Sequence, residues 1–131
     1  MTKHVFLSFV VEDQTLVTLF RGQAKNQNSS LAFDDYSVKE AINSTNADYI
    51  KSKITEKIRA SSVLICLIGA TTSTSPWVTW EIEKAAALGK KVLGVRLHSD
   101  ASKDKTPAAL TAAGGSVYNW DIPAIVSAIG T

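Results

Sequence analysis

Ser75 begins the stretch Ser-Pro-Trp-Val-Thr-Trp-Glu-Ile-Glu-Lys (residues 75–84), which has the pattern of a helix start. A serine caps the free N–H groups of a first helical turn well, and Pro76 fits the first helical position because no N–H donor is needed there. Trp77 and Glu81 are four residues apart and therefore share one face of the predicted helix. The stretch thus places an aromatic ring and a carboxylate side by side near a helix N-terminus.

The rest of the chain alternates strand patterns with helix patterns. An apolar run at 63–68, closed by Gly69, precedes the helix start and is typical of a buried parallel strand. Gly89 follows the helix and is suited to end it in a left-handed conformation. The other strand-like runs lie at 4–9, 31–33, 91–97 and 117–118, and the apolar helical faces at 16–24, 47–58, 76–88, 108–110 and 122–129. This order predicts an α/β fold, a flavodoxin-like three-layer sandwich around a five-stranded parallel sheet ordered 2-1-3-4-5.

Size and composition fit one ordinary globular domain. The chain has 131 residues, of which 45% are hydrophobic and 20% charged, and a formal net charge of +2. Because Lys and Arg form no dense run, nucleic acid is not expected as a partner, and no apolar stretch approaches the ~18–20 residues of a membrane span. Cys66 is the one cysteine, and its place in an apolar run predicts a small buried side chain. With no disulfide and no signal-peptide pattern, a cytoplasmic location is expected.

The predicted sheet has its topological switch point between strands one and three. Open α/β sheets bind ligands beside such a point, at the edge formed by the carboxyl ends of the strands. We expect Ser8 and Phe9 to line the crevice from strand one, together with the residues after Phe33 and the segment 69–81. Glu81 is either a solvated helix residue or the functional carboxylate of this crevice. Its position in the first two helical turns, beside two tryptophans, favours the functional interpretation.

The sequence lacks the residues that several other kinds of functional site require. Neither GxGxxG nor GxxxxGK[ST] is present, so no phosphate-binding glycine loop is predicted. His4 and His98 are remote in sequence and are interpreted as structural, and with a single cysteine no metal-ligand spacing occurs. Strand three ends in Gly69-Ala70, where a receiver domain has its phosphoacceptor aspartate. We therefore expect neither a metal nor a cofactor.

Two stretches resemble the motifs of Toll/interleukin-1 receptor (TIR) domains. Residues 3–9, Lys-His-Val-Phe-Leu-Ser-Phe, resemble the opening TIR strand, which ends in Ser-Phe or Ser-Tyr and is followed by an acidic residue, here Glu12 or Asp13. Residues 75–82 are similar to the motif around the catalytic glutamate of TIR enzymes, in which Ser-x-Trp precedes Glu-Leu or Glu-Ile. The likeness covers most of residues 3–120.

Further motifs are similar to those of small prokaryotic TIR-like proteins, including the sensor of the Thoeris anti-phage system. Phe33-Asp34 after strand two and Tyr118-Asn119-Trp120 near strand five stand in the places of that subgroup's Phe-Asp and Tyr-x-Trp. The chain departs from animal adaptor TIR domains because residues 35–46 lack their Arg-Asp-x-x-Pro-Gly loop. On this resemblance, residues 1–131 are identified as a single TIR-like domain.

The resemblance implies an NAD-cleaving enzyme of the NAD nucleosidase or ADP-ribosyl cyclase type, acting in anti-phage defence. Such enzymes break the nicotinamide–ribose bond and release nicotinamide with an ADP-ribose-derived, often cyclic, signal. NAD is then a substrate rather than a cofactor. The resemblance also implies self-association of TIR domains to complete the site, and a phage-derived trigger is a candidate activator.

The resemblance further assigns roles to individual residues. Glu81 would bind the ribose diol and stabilise an oxocarbenium-like transition state. Phe9 and Trp77 would flank the ring to be cleaved. The expected substrate-binding residues are Ser8, Phe9, Phe33, Asp34, Asp35, Ser37, Gly69 and Trp77.

Two other functions remain open on the sequence alone. A non-catalytic TIR-like scaffold would bind partner proteins while Glu81 faces solvent. A nucleoside deoxyribosyltransferase-like enzyme shares the predicted sheet, crevice and glutamate, but its glutamate attacks the sugar covalently. Replacement of Glu81 and a search for a covalent sugar adduct distinguish the three functions.

Overall fold

The computed structural model describes residues 3–35, 45–98 and 104–130 of the chain, along which strands and helices alternate. The strands are β1 (Lys3–Ser8), β2 (Leu31–Asp34), β3 (Val63–Ile68), β4 (Lys91–Arg96) and β5 (Ser116–Tyr118). The helices are α1 (Gln14–Gln27), α2 (Ala47–Arg59), α3 (Pro76–Ala87), α4 (Ala108–Ala112) and α5 (Ile122–Ile129), and short 3-10 turns (Val11–Asp13 and Thr72–Thr74) precede α1 and α3. None of these described helices is long and apolar enough to cross a membrane.

The five strands form one parallel sheet in the order β2-β1-β3-β4-β5. The central strand β3 is buried along its whole length because helices cover both faces of the sheet. The predicted α/β class and strand order are therefore confirmed. The switch point lies between β1 and β3, whose register pairs Ser8 with Cys66.

The sheet separates two apolar cores. On one face, α1 and α5 pack through side chains such as Phe20 and Ile125. On the other face, α2, α3 and α4 contribute Ile54, Ile82 and Leu110. The predicted three-layer sandwich is thus present, with α3 on the face opposite α1.

Element boundaries differ from the predicted ones by a few residues. β1 runs from Lys3 to Ser8, so Phe9 lies outside the strand. α1 extends to Gln27, beyond the predicted apolar face, because a helix can continue through polar residues that contact only solvent. The short helix α4 falls where the sequence predicted one. Most of the stretch 35–46, where animal TIR adaptors have their Pro-Gly loop, lies outside the described residues.

Candidate active site

Helix α3 carries the candidate catalytic residue, and its ends are formed as the sequence predicted. The Ser75 hydroxyl accepts a hydrogen bond from the Val78 N–H at 3.2 Å, and Pro76 occupies the first turn. Gly89, with a φ of 73°, follows the last turn in the left-handed conformation that glycine tolerates. These caps fix where α3 starts and ends, and therefore where Glu81 lies.

Glu81 lies against the carboxyl ends of β1 and β3. The Ser8 hydroxyl donates a 2.7 Å hydrogen bond to Glu81 Oε1, and both residues are fully buried. Cys66 is the neighbour of Ser8 on β3 and is buried, as predicted. Burial, and secondly the charge of Glu81, raise the pKa of the Cys66 thiol. The Glu81 carboxyl group is thus held in a buried site, where a charge acts more strongly on a ligand than it would in water.

Two tryptophans accompany Glu81 on α3. Trp77 is 8% exposed, and its ring lies edge-to-face with that of Trp80 at a centroid distance of 6.1 Å. The ammonium groups of Lys51 and Lys84 lie 5.7 Å and 5.9 Å from the centroid of Trp80. Trp80 is therefore held by cation–π contacts and in turn supports the ring of Trp77, one helical turn before Glu81.

The two predicted phenylalanines pack on the face of the sheet opposite α3. Phe9 is 6% exposed and contributes, with Phe33, to the core beneath α1 and α5. The Phe33 ring packs edge-to-face on Phe20 at a centroid distance of 6.1 Å. The structure therefore does not bring these rings to Glu81, and their role as substrate contacts stays a prediction.

The carboxylates that end β2 are held in ion pairs. Lys57 Nζ lies 2.9 Å from Asp34 Oδ1, and Arg21 pairs with Asp35. Lys57 belongs to α2 and Arg21 to α1, so the two pairs tie the end of β2 to both helical layers. A substrate would have to compete with these cations for either carboxylate. Ser37 lies outside the described residues.

Gly69 follows β3 at a position without room for a side chain. A Cβ atom there would collide with the carboxylate of Asp13. The Gly69 N–H donates a 2.7 Å hydrogen bond to Thr72 Oγ1. The chain therefore turns tightly from β3 towards α3, with the Asp13 carboxylate packed against the turn.

A histidine–aspartate pair at the same edge of the sheet was not predicted. His98 Nδ1 lies 2.7 Å from Asp104 Oδ1, and Asp104 Oδ2 accepts the His98 backbone N–H at 2.6 Å. The Asp104 side chain is fully buried, whereas that of His98 is 38% exposed. No sequence pattern links positions 98 and 104, because the pair is formed across a connection and not along a helix or strand. Within the described ranges, no group of three or more His, Cys, Asp or Glu side chains could hold a metal ion.

The strand order, the serine that ends β1 and the buried glutamate on the helix after β3 are the features of a TIR-like α/β domain. A family model for the TIR-like domain of the Thoeris protein ThsB matches residues 6–102. The match covers most of the chain and includes Ser8 and Glu81. The chain therefore belongs to this family.

A curated relative agrees with this assignment. A Bacillus cereus (strain MSX-D12) protein named as a candidate cyclic ADP-D-ribose synthase, ThsB1, is 32% identical over 109 residues, which are 80% of this chain and 56% of that protein. The chain thus spans about half the length of this relative.

Two solved structures share the fold. The Clostridium botulinum CMP N-glycosidase BcmB superposes with a TM-score of 0.59 at 15% identity, over 98% of this chain and 100% of that one. The TIR domains of the activated Roq1 resistosome, which directly recognises the pathogen effector XopQ, superpose with a TM-score of 0.51 at 22% identity, over 72% of this chain and 57% of that one. At these identities the likeness establishes the fold alone.

Proposed function

We propose that this chain is an NAD-cleaving TIR-like enzyme in which Glu81 is the catalytic carboxylate. The observation that carries the proposal is the buried hydrogen bond from Ser8 to Glu81 at the carboxyl edge of the sheet. Burying a carboxylate is costly, and this one lies at the switch point where such sheets bind ligands. Membership of the ThsB family and the name of the B. cereus relative support the same activity.

The chemistry needs a negative charge beside the ribose. When the nicotinamide–ribose bond breaks, its electron pair goes to the nicotinamide nitrogen, and neutral nicotinamide leaves. Positive charge then develops on the ribose. The Glu81 carboxylate would accept hydrogen bonds from the ribose hydroxyls and stabilise this charge more in the transition state than in the ground state. The Ser8 hydroxyl holds one carboxylate oxygen and so restricts the orientation of Glu81.

Substrate contact requires a local rearrangement. Glu81 has no exposed surface, and Trp77 beside it is almost completely buried. We therefore expect the side chains around the carboxylate to shift when the ribose enters.

The proposed biological role is cytoplasmic signalling in anti-phage defence. The ADP-ribose part of NAD would leave as a signal, cyclic as in the name of the B. cereus relative. Self-association of TIR-like domains would complete the site, and a phage-derived trigger would activate it.

The test compares Glu81→Gln with Glu83→Gln. Concentrated protein is incubated with NAD, and nicotinamide and ADP-ribose products are separated by mass-resolved chromatography. Glu81→Gln keeps the size of the side chain but removes its charge, so we expect nicotinamide release to fall by about 10²–10³-fold. Glu83→Gln is the matched control because Glu83 is exposed on the same helix, and we expect it to keep the wild-type rate.

Three other outcomes would each contradict the proposal or favour an alternative function. Equal nicotinamide release by wild type and Glu81→Gln would contradict the assigned role of Glu81. A covalent sugar adduct on Glu81 would favour the deoxyribosyltransferase-like mechanism. No release by any variant, even with lysate of infected cells as a source of trigger, would favour the scaffold function.

A further inference from the structure

His98 is held in a fixed orientation at the edge of the sheet where Glu81 lies. It follows β4, and the Asp104 carboxylate binds it twice, at the backbone N–H (2.6 Å) and at ring Nδ1 (2.7 Å). The Asp104 side chain is fully buried, while 38% of the His98 side chain is exposed. A buried group therefore fixes an imidazole whose other edge can reach a ligand.

The contact with Asp104 also sets the tautomer of His98. An ionised carboxylate can only accept hydrogen bonds, so the neutral ring carries its proton on Nδ1 and leaves Nε2 as an acceptor. A histidine oriented by a carboxylate in this way is the usual arrangement of a general base.

A second carboxylate lies near the imidazole. Asp13 is packed against Gly69, and its buried Oδ2 has no hydrogen-bond partner among the described residues. Burial raises the pKa of Asp13, the charge of His98 lowers it, and the charges of Asp104 and Glu12 raise it. Asp13 and His98 are therefore close enough for their charges to interact.

The sheet places His98 within reach of a molecule bound at Glu81. The Leu97 N–H bonds to the Ile68 carbonyl, so His98 lies just past the end of β4, beside the end of β3. Ser8 and Glu81 lie at the end of β1, two strand spacings away, which is about 10 Å. A ribose held by Glu81, with the incoming hydroxyl beside it, would occupy the space between the two side chains.

We propose that His98, oriented by Asp104, is the group that accepts the proton of the incoming hydroxyl in the proposed NAD reaction. This inference rests on the proposed function. As nicotinamide leaves with the electron pair of the broken C–N bond, an acceptor hydroxyl (of water or of a ribose) forms the new C–O bond to the ribose carbon. The hydroxyl proton passes to His98 Nε2 and then to solvent.

A purely structural role accounts for the pair less well. An uncharged asparagine at position 104 could hold a loop through the same backbone N–H without the cost of a buried charge. A carboxylate is needed where the ring must also be stabilised as an imidazolium.

The test separates proton transfer from support of the loop. His98→Asn can still donate an amide N–H to Asp104 but cannot take up a proton, whereas His98→Ala can do neither. We expect both variants to release nicotinamide about 10²-fold more slowly than wild type, and added imidazole to restore part of the rate of His98→Ala. His4→Asn is the matched control because His4 is exposed near the opposite end of β1.

The outcomes distinguish this inference from the proposed function. If Glu81→Gln abolishes release but His98→Asn keeps the wild-type rate and pH profile, the role of His98 alone is overturned. If Glu81→Gln retains activity, the proposed function itself fails.

A second measurement does not depend on activity. Nitrogen-15 chemical shifts of the neutral His98 ring should show the Nδ1–H tautomer in wild type. Loss of this preference is expected in Asp104→Asn. A wild-type ring protonated on Nε2 would contradict the proposal.

Discussion

The hydroxyl of Ser8 determines how the Glu81 carboxylate is held. Ser8→Ala removes the 2.7 Å donor and leaves a buried carboxylate oxygen without it, at a cost of about 1–3 kcal/mol. If loss of this hydrogen bond destabilises the transition state by the same amount, the rate of nicotinamide release should drop about tenfold or more. Steady-state rates and thermal unfolding are measured beside Ser62→Ala, which replaces an exposed serine. A wild-type rate for Ser8→Ala would show that Glu81 does not need this contact.

The Cys66 thiol should make the free energy of unfolding vary with pH in the alkaline range. Its pKa is raised in the folded chain, first by burial and then by Glu81, above the ordinary value of 9.0. The folded state therefore keeps the thiol neutral, while the unfolded chain ionises above about pH 9. We expect the free energy of unfolding to fall there by up to about 1.4 kcal/mol per pH unit, relative to Cys66→Ala. The difference is measured by urea unfolding of both proteins between about pH 7 and about pH 10.5, a range that brackets the ordinary ionisation of a thiol. Parallel pH profiles of the two proteins would contradict the prediction.

At the level of elements, two helices have matching N-terminal caps at different distances from the candidate site. Ser75 accepts the Val78 N–H on α3, and Asp121 accepts the Ala124 N–H on α5, both at 3.2 Å. Replacement of either cap by Ala should cost about 1 kcal/mol of stability. Only Ser75→Ala should also lower nicotinamide release, because α3 carries Glu81. Equal rates in the two variants, normalised to folded protein, would mean that the start of α3 does not position the carboxylate.

The order of the elements could be predicted because hydrophobic periodicity and turn residues act locally. The cap at Ser75 and the left-handed Gly89 are examples, and so is the apolar run of β3. The sequence could not predict which of the two helical layers a strand side chain packs against, because both faces of a central parallel strand are apolar. Phe9 lies just past the end of β1 and Phe33 lies on the edge strand β2; both were expected near Glu81 but pack beneath α1 and α5.

The sequence could predict only those residues of the candidate site that the strand order brings to one edge of the sheet. The parallel topology brings Ser8, Gly69 and Glu81 to one end of the sheet, and the sequence indicated all three. The pairing of His98 with Asp104 joins two residues that lie six positions apart and outside any helix or strand. Such a contact has no period and no motif, so only the structure reveals it.

For the whole molecule, we expect activity to depend on association. A single chain keeps Glu81 fully buried, and the TIR resemblance implies that a second domain completes the site. Below the dissociation constant of a dimer, the total rate should then rise with the square of protein concentration. Nicotinamide release across a dilution series, with light scattering for mass, tests this.

A mixing experiment supplies the control. Wild type at fixed low concentration should be activated by added Glu81→Gln, which lacks the catalytic charge but keeps the association surface. A strictly linear rate and no activation on mixing would contradict association.

The bond between Ser8 and Glu81 joins residues 73 positions apart, and the connection between them includes the exposed Ala70 and Thr71. A chain divided after Thr71 carries one partner of this bond on each fragment. Neither fragment alone would hold a complete site. Fused to two proteins that bind each other, the fragments should form a split reporter, in which consumption of NAD records that the two proteins have met.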